Sequence, residues 1–195
     1  MAAESLLDHE LTFVRELPLT RAAVVFASEH HGAQVRDADH APFLVHPLEV
    51  ASYMERSGYP DHVVAAAVLH DVLEDTGARR DELEARFGRE VAELVDLVSD
   101  DLSIDDEEQR KEDVRERVRH ASRYAQVIYA SDKVSKVREL RMLLARGITR
   151  DLAEAKRRRY QRSLAMLEQA IPDHPVVELL RFELEALEVL PPAPL

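Results

Sequence analysis

The chain has 195 residues, 46% of them apolar, which is the length of one domain with enough apolar surface for a real core. It carries 26 basic and 38 acidic side chains, a net charge of −12, so general nucleic-acid binding and attraction to anionic membranes are disfavoured. With no cysteine, disulfides and thiolate metal sites are excluded, and no apolar run approaches the ~20 residues of a membrane span.

Few aromatics and abundant Ala, Leu, Glu and Arg favour helices, and periodicity predicts an all-α bundle of roughly nine helices. The start of the chain lacks the basic and apolar regions of a secretion signal, so a soluble cytoplasmic protein is expected. The first helix is expected over 5–16. The second covers 20–31, with Thr20 as its N-cap. Residues 32–45 are irregular, punctuated by Gly32 and Pro42. A helix over 46–57 carries Pro47 in its first turn, where a missing N–H costs little. Gly58-Tyr59-Pro60 breaks the chain, and one helix follows over 60–75.

Thr76-Gly77 ends that helix. Two more follow over 80–87 and 89–99, split at Gly88. The second places Val91, Leu94, Val95 and Val98 at i, i+3, i+4 and i+7. Residues 100–108 form an acidic stretch read as a mobile loop. A polar helix over 107–119 comes next, then an amphipathic one over 124–144 that ends near Gly147. Helices over 150–171 and 175–190 complete the bundle, and 191–195 is a frayed tail. There is no internal repeat and no mark of a second domain. The expected organisation is one domain over 1–190, with a core at 20–145 and the helices of 150–190 packed on it.

The most informative run is Ala65 to Thr76, which reads AAAVLHDVLEDT. On a continuous helix, at ~100° per residue, His70 stacks with Glu74 and Asp71 with Asp75, and all four fit an arc of about 140°. His46 opens an earlier helix, and Asp132 ends a mostly apolar run in a later one. Two imidazoles and two carboxylates leave coordination positions open for water or phosphate. That donor set suits Mn²⁺, Fe²⁺ or Zn²⁺ better than Ca²⁺. A metal held there would lower the pKa of its water and polarise a phosphoryl oxygen. Glu74 or Asp75, one turn further on, could orient or deprotonate that water, or protonate a leaving oxygen.

Each residue also has a plain structural reading. His46 could cap a helix, and Asp132 could pair with Lys133 or Lys136. His9, His40, His62, His120 and His174 lie near polar or loop segments and are expected to be solvated. His30 and His31 end a helix, where the partial negative charge favours them, although one of them could face the cleft. Lys156-Arg157-Arg158-Arg159 is read chiefly as a solvated helix face, with substrate attraction as the other role.

Taken together, these segments resemble the HD-domain hydrolases of the alarmone (p)ppGpp family, namely the hydrolase half of Rel/SpoT proteins and the small alarmone hydrolases. The resemblance covers roughly 20–144. Residues 27–36 (ASEHHGAQVR) resemble the family's His-x-Gly-Gln-x-Arg segment, with Ala33 in the Gly place. Residues 42–51 (PFLVHPLEVA) resemble its Pro-Tyr-x-x-His-Pro segment. Residues 66–76 are nearly its central motif, and 87–96 (FGREVAELVD) resemble the segment that follows.

The resemblance implies an HD-type helical bundle and a metal, usually Mn²⁺, held by His46, His70, Asp71 and Asp132. It implies that Glu74 and Asp75 support the hydrolytic water, and that a small phosphorylated nucleotide is the substrate. The family reaction removes pyrophosphate from the 3′ position of ppGpp or pppGpp. Arg36 falls at a position the family uses near the base. Where the family reads Ala-Asp-Arg/Lys-Leu-His-Asn, this chain reads Ser131-Asp132-Lys133-Val134-Ser135-Lys136. The ligand is kept, and Lys136 takes the place of an Asn that contacts the nucleotide. Lys133 and Lys136 are candidate substrate contacts, and Lys136 could instead block the usual pocket. Two alternatives to alarmone hydrolysis remain: hydrolysis of another nucleotide or phosphate ester, and a non-catalytic regulatory module. The sequence leaves the oligomeric state open.

Overall fold

The structure is a computed structural model that describes residues 12–189. Among the described residues there are eleven helical segments and no strand. They are α1 (Thr12–Glu16), α2 (Pro18–His31), α3 (Val45–Arg56), α4 (Asp61–Leu69), α5 (Val72–Asp75), α6 (Arg80–Phe87), α7 (Arg89–Val98), α8 (Glu107–Arg119), α9 (Arg123–Ala145), α10 (Arg150–Ala170) and α11 (Pro175–Val189). The expected all-α bundle is therefore present. The start of the predicted first helix, His9 and the 191–195 tail lie outside the described residues.

Helix α4 is the hub. Every residue from Val63 to Leu69 is buried, as expected of a helix that is apolar all round. It packs against α2, α3 and α7. Fully burying one such side chain, Leu69, contributes about 2 kcal/mol. The long α9 forms the second axis, packed against α3, α7, α8, α10 and α11. Because α3 and α7 touch both axes, the start of α3, the end of α4 and the middle of α9 come together.

Three local expectations are corrected. The run 60–75 is two helices, because His70 and Asp71 break it. His70 Nδ1 lies 2.8 Å from the Ala67 carbonyl, the acceptor that an uninterrupted helix offers to the Asp71 amide. Asp71 sits at φ −96°, ψ −4°, and Ser99 Oγ stands 3.2 Å from the His70 carbonyl.

Thr20 does not cap its helix, which begins at Pro18. The cap comes from α4 instead. The Asp61 carboxylate accepts from the Leu19 and Thr20 amides at 2.9 Å each and from Thr20 Oγ1 at 2.7 Å. His174, expected in solvent, is buried with Nε2 3.0 Å from the Tyr59 hydroxyl. The split between α6 and α7 falls where expected, at Gly88, whose φ of +86° is a conformation that side-chain-bearing residues rarely adopt.

Candidate metal centre and active site

His46 comes from the first turn of α3, His70 and Asp71 from the break between α4 and α5, and Asp132 from the middle of α9. They are only 2–4% exposed. His46 Nε2 lies 3.2 Å from His70 Nε2, 3.2 Å from Asp71 Oδ2 and 3.3 Å from Asp132 Oδ1. His70 Nε2 lies 3.1 Å from Asp71 Oδ2 and 3.6 Å from Asp132 Oδ1. Two donors held at about 2.1 Å from one ion, at tetrahedral or octahedral angles, stand about 3.0–3.4 Å apart. The observed spacings fit that geometry.

The hydrogen bonds around these atoms support the same reading. Asp71 Oδ2 is buried with no hydrogen-bond partner, and Asp132 Oδ1 makes no hydrogen bond although Lys136 Nζ stands 3.1 Å from it. An orphaned carboxylate oxygen costs free energy unless a cation meets it. Both imidazoles turn Nε2 toward the centre. His70 donates Nδ1–H to the Ala67 carbonyl at 2.8 Å. His46 Nδ1 lies 2.9 Å from Ser135 Oγ, which gives its own proton to Glu49 Oε2 at 2.5 Å. Ser135 can therefore only accept from His46, which leaves the lone pair on Nε2.

The buried charges of this centre also act on one another. Burial alone would raise the Asp71 carboxyl, but His70 and Lys136 hold it well below the usual range. Burial likewise opposes Asp132, which Lys133 and Lys136 hold well below it. Burial alone would lower His70, yet the Asp71 and Asp132 carboxylates push it up to about 10. The residues present thus fit a divalent metal, with His46, His70 and Asp132 forming a compact triad and Asp71 completing it from the side of both imidazoles.

The other expected site residues are distributed around this centre. Glu74 is turned toward α8: its Oε1 meets Lys111 Nζ at 3.1 Å and its Oε2 accepts from the Asp100 amide at 3.2 Å. Lys111 also holds Asp100 Oδ2 at 2.7 Å, so the acidic stretch expected to be mobile is tied to the site at its first residue. Asp75 has a carboxyl raised to about 6, first by burial and then by the charges of Asp71 and Glu74.

Arg36 is buried and its guanidinium is held by Asp39 and by Glu49, the latter at 3.3 Å. It reaches the metal centre through Glu49, Ser135 and His46. Lys133 meets Asp132 Oδ2 and lies over the Tyr129 ring, 4.3 Å from its centroid. Lys136 lies 3.1 Å from Asp132 Oδ1 and 3.6 Å from Asp71 Oδ1.

Lys111 and Arg115 were not singled out from sequence, whereas His31 was left as one of a pair that could face the cleft. His31 is buried against Phe43, its Nδ1 is 2.9 Å from Gln34 Oε1, and its Nε2 is unbonded. Of the adjacent pair it is the one near the centre, close enough for Asp71 and His70 to act on it, while His30 stacks on Phe26. Lys111, Arg115, Lys133, Lys136, Lys156 and Arg159 line one cavity of about 190 Å³ with Tyr129 and Tyr160. The basic run of α10 thus divides: Lys156 and Arg159 face this cavity, with Arg159 also held by Glu107 and Glu108, while Arg157 and Arg158 pair with Glu154. A larger groove of about 430 Å³ between α9, α10 and α11 contains none of the ligands, so size alone does not locate the chemistry.

A buried His/Asp centre at the break of an apolar helix, completed by a distant Asp, is the arrangement of an HD domain. The chain belongs to this family, whose HD-domain model matches residues 23–165. Among its relatives is the guanosine-3′,5′-bis(diphosphate) 3′-pyrophosphohydrolase MESH1 of Xenopus tropicalis, 35% identical over 64% of this chain and 71% of that protein. The enzyme of the same activity name from Aquifex aeolicus is 34% identical over 70% of this chain, which corresponds to 19% of that longer protein. A solved structure of a metazoan SpoT ortholog that hydrolyzes ppGpp superposes with a TM-score of 0.76 at 26% identity, covering 88% of this chain and 96% of that one. No helix among the described residues is long and apolar enough to cross a membrane.

Proposed function

We propose that this chain is a metal-dependent phosphohydrolase that removes the 3′-diphosphate of guanosine 3′,5′-bis(diphosphate), releasing GDP and pyrophosphate. The observation that carries the proposal is the convergence of His46, His70, Asp71 and Asp132, with Asp71 Oδ2 buried and without a hydrogen bond. MESH1-type relatives named for this activity, each spanned over most of its length, support the substrate.

His46, His70, Asp71 and Asp132 would hold the ion, which we take to be Mn²⁺. When bound, such an ion polarises a phosphoryl oxygen and lowers the pKa of water. The chain's own residues supply the rest. Ser135 and the Ala67 carbonyl fix the two imidazoles with Nε2 inward. Asp75 takes a proton from the attacking water, and its raised carboxyl is suited to that task. Glu74, held by Lys111 and the Asp100 amide, supports the same water. Lys133, Lys136 and the basic cavity attract the phosphate groups in a chain whose net charge is −12. Water adds to the phosphorus attached to the 3′ oxygen, and that oxygen leaves on GDP with a proton.

Lys136 favours a second reading, hydrolysis of a different phosphate ester, because an ammonium stands where a neutral amide is the family's nucleotide contact. Incubating Mn²⁺-loaded protein with ppGpp and a panel of nucleotide and sugar phosphates separates the two. Turnover of ppGpp to GDP supports the first. An untouched ppGpp beside turnover of another ester supports the second.

A further inference from the structure

The centre needs Asp71 and Asp132 to hold a cation, and both already face one. Lys136 Nζ lies 3.1 Å from Asp132 Oδ1 and 3.6 Å from Asp71 Oδ1. Asp132 Oδ1 is the same oxygen that faces both imidazoles. Lys133 takes the other oxygen of Asp132. Two ammonium groups therefore balance two ligand carboxylates. A divalent ion arriving here meets carboxylates that are already compensated, where an unbalanced pair would attract it strongly. Lys136 leaves α9 one turn beyond Asp132, on the same side of the helix, which keeps its ammonium within reach of that carboxylate.

We propose that Lys136 is an internal counter-cation of the metal centre, which keeps the carboxylates compensated before the metal arrives and weakens the resting affinity for it. A seated divalent ion then leaves the centre with net positive charge beside the basic cavity. A polyphosphate approaching the site meets that charge. Lys136 acts through the ligands it touches and is in this sense a positioning residue. The inference rests on the metal reading of the site and is independent of which ester is cleaved.

The test is a calorimetric titration of metal-stripped protein with Mn²⁺ alone, comparing wild type with Lys136→Gln and Lys136→Arg. Removing the charge should tighten Mn²⁺ binding about tenfold or more, and keeping it as Arg should leave binding within about threefold of wild type. Melting curves give a second readout. Metal-free Lys136→Gln should unfold at a lower temperature than wild type, since two buried carboxylates lose a cation, and Mn²⁺ should raise its Tm by more. Wild-type Mn²⁺ binding with equal or weaker binding by Lys136→Gln overturns the inference and leaves the metal reading standing. No Mn²⁺ binding by any of the three proteins overturns both.

Discussion

Ser135→Ala probes the support of the metal centre at one atom. The Ser135 hydroxyl donates to Glu49 Oε2 at 2.5 Å and accepts the His46 Nδ1 proton across 2.9 Å. Both His46 and Ser135 are buried, which disfavours a water in the place of the missing oxygen. A buried donor without a partner costs about 1–3 kcal/mol. The imidazole has one escape, which is to move its proton to Nε2, but that removes the lone pair that faces the metal. Either response weakens metal binding. At 1.4 kcal/mol per tenfold the loss is roughly 5- to 150-fold, consistent with the roughly 10- to 100-fold typical of such outer partners. Titration of metal-stripped Ser135→Ala with Mn²⁺ measures it. Affinity within twofold of wild type would refute the reasoning. The neighbouring Lys136→Gln is expected to move affinity the opposite way, so general damage to α9 cannot mimic both results.

The remaining predictions concern other parts of the structure. His70→Ala should lose the bound metal and hydrolysis together, and elemental analysis showing a full metal complement would contradict the ligand set. Glu74→Gln should keep the metal while slowing turnover about 10²-fold or more, and full activity would remove its assigned role. Asp61→Ala takes three hydrogen bonds from the start of α2 and should cost about 2–3 kcal/mol in urea unfolding with metal content unchanged, against a loss below about 0.5 kcal/mol if the cap is unimportant. Metal at 100 times its Kd stabilises by about 2.7 kcal/mol, so chelation should lower Tm by about 5–10 °C. An unchanged Tm would mean that no metal was held.

Most of the helices were legible because their signals are local. Gly88 marks a left-handed stop, Pro47 a helix start, and Val91, Leu94 and Val95 an apolar face, and each lies where its pattern points. The convergence of His46, His70, Asp71 and Asp132 was legible from residue type and family resemblance, because few other donors follow such apolar runs. What escaped is set by contacts across the fold. The break at His70 depends on a ring nitrogen reaching the Ala67 carbonyl and on Ser99, 29 residues away, meeting the freed carbonyl. The cap on α2 comes from Asp61, 41 residues beyond Thr20. Ser135 reads as a neutral helix residue until its helix is placed against α3. Lys156 and Arg159 look like the rest of a solvated basic run until the rotation of α10 turns them toward Lys133 and Lys136.

One measurement bears most directly on the proposed activity: the products formed from ppGpp by purified, Mn²⁺-loaded protein. GDP and pyrophosphate should appear in equal amounts, and neither should form after chelation or in His70→Ala. Intact ppGpp in the presence of a fully metal-loaded protein would contradict the account.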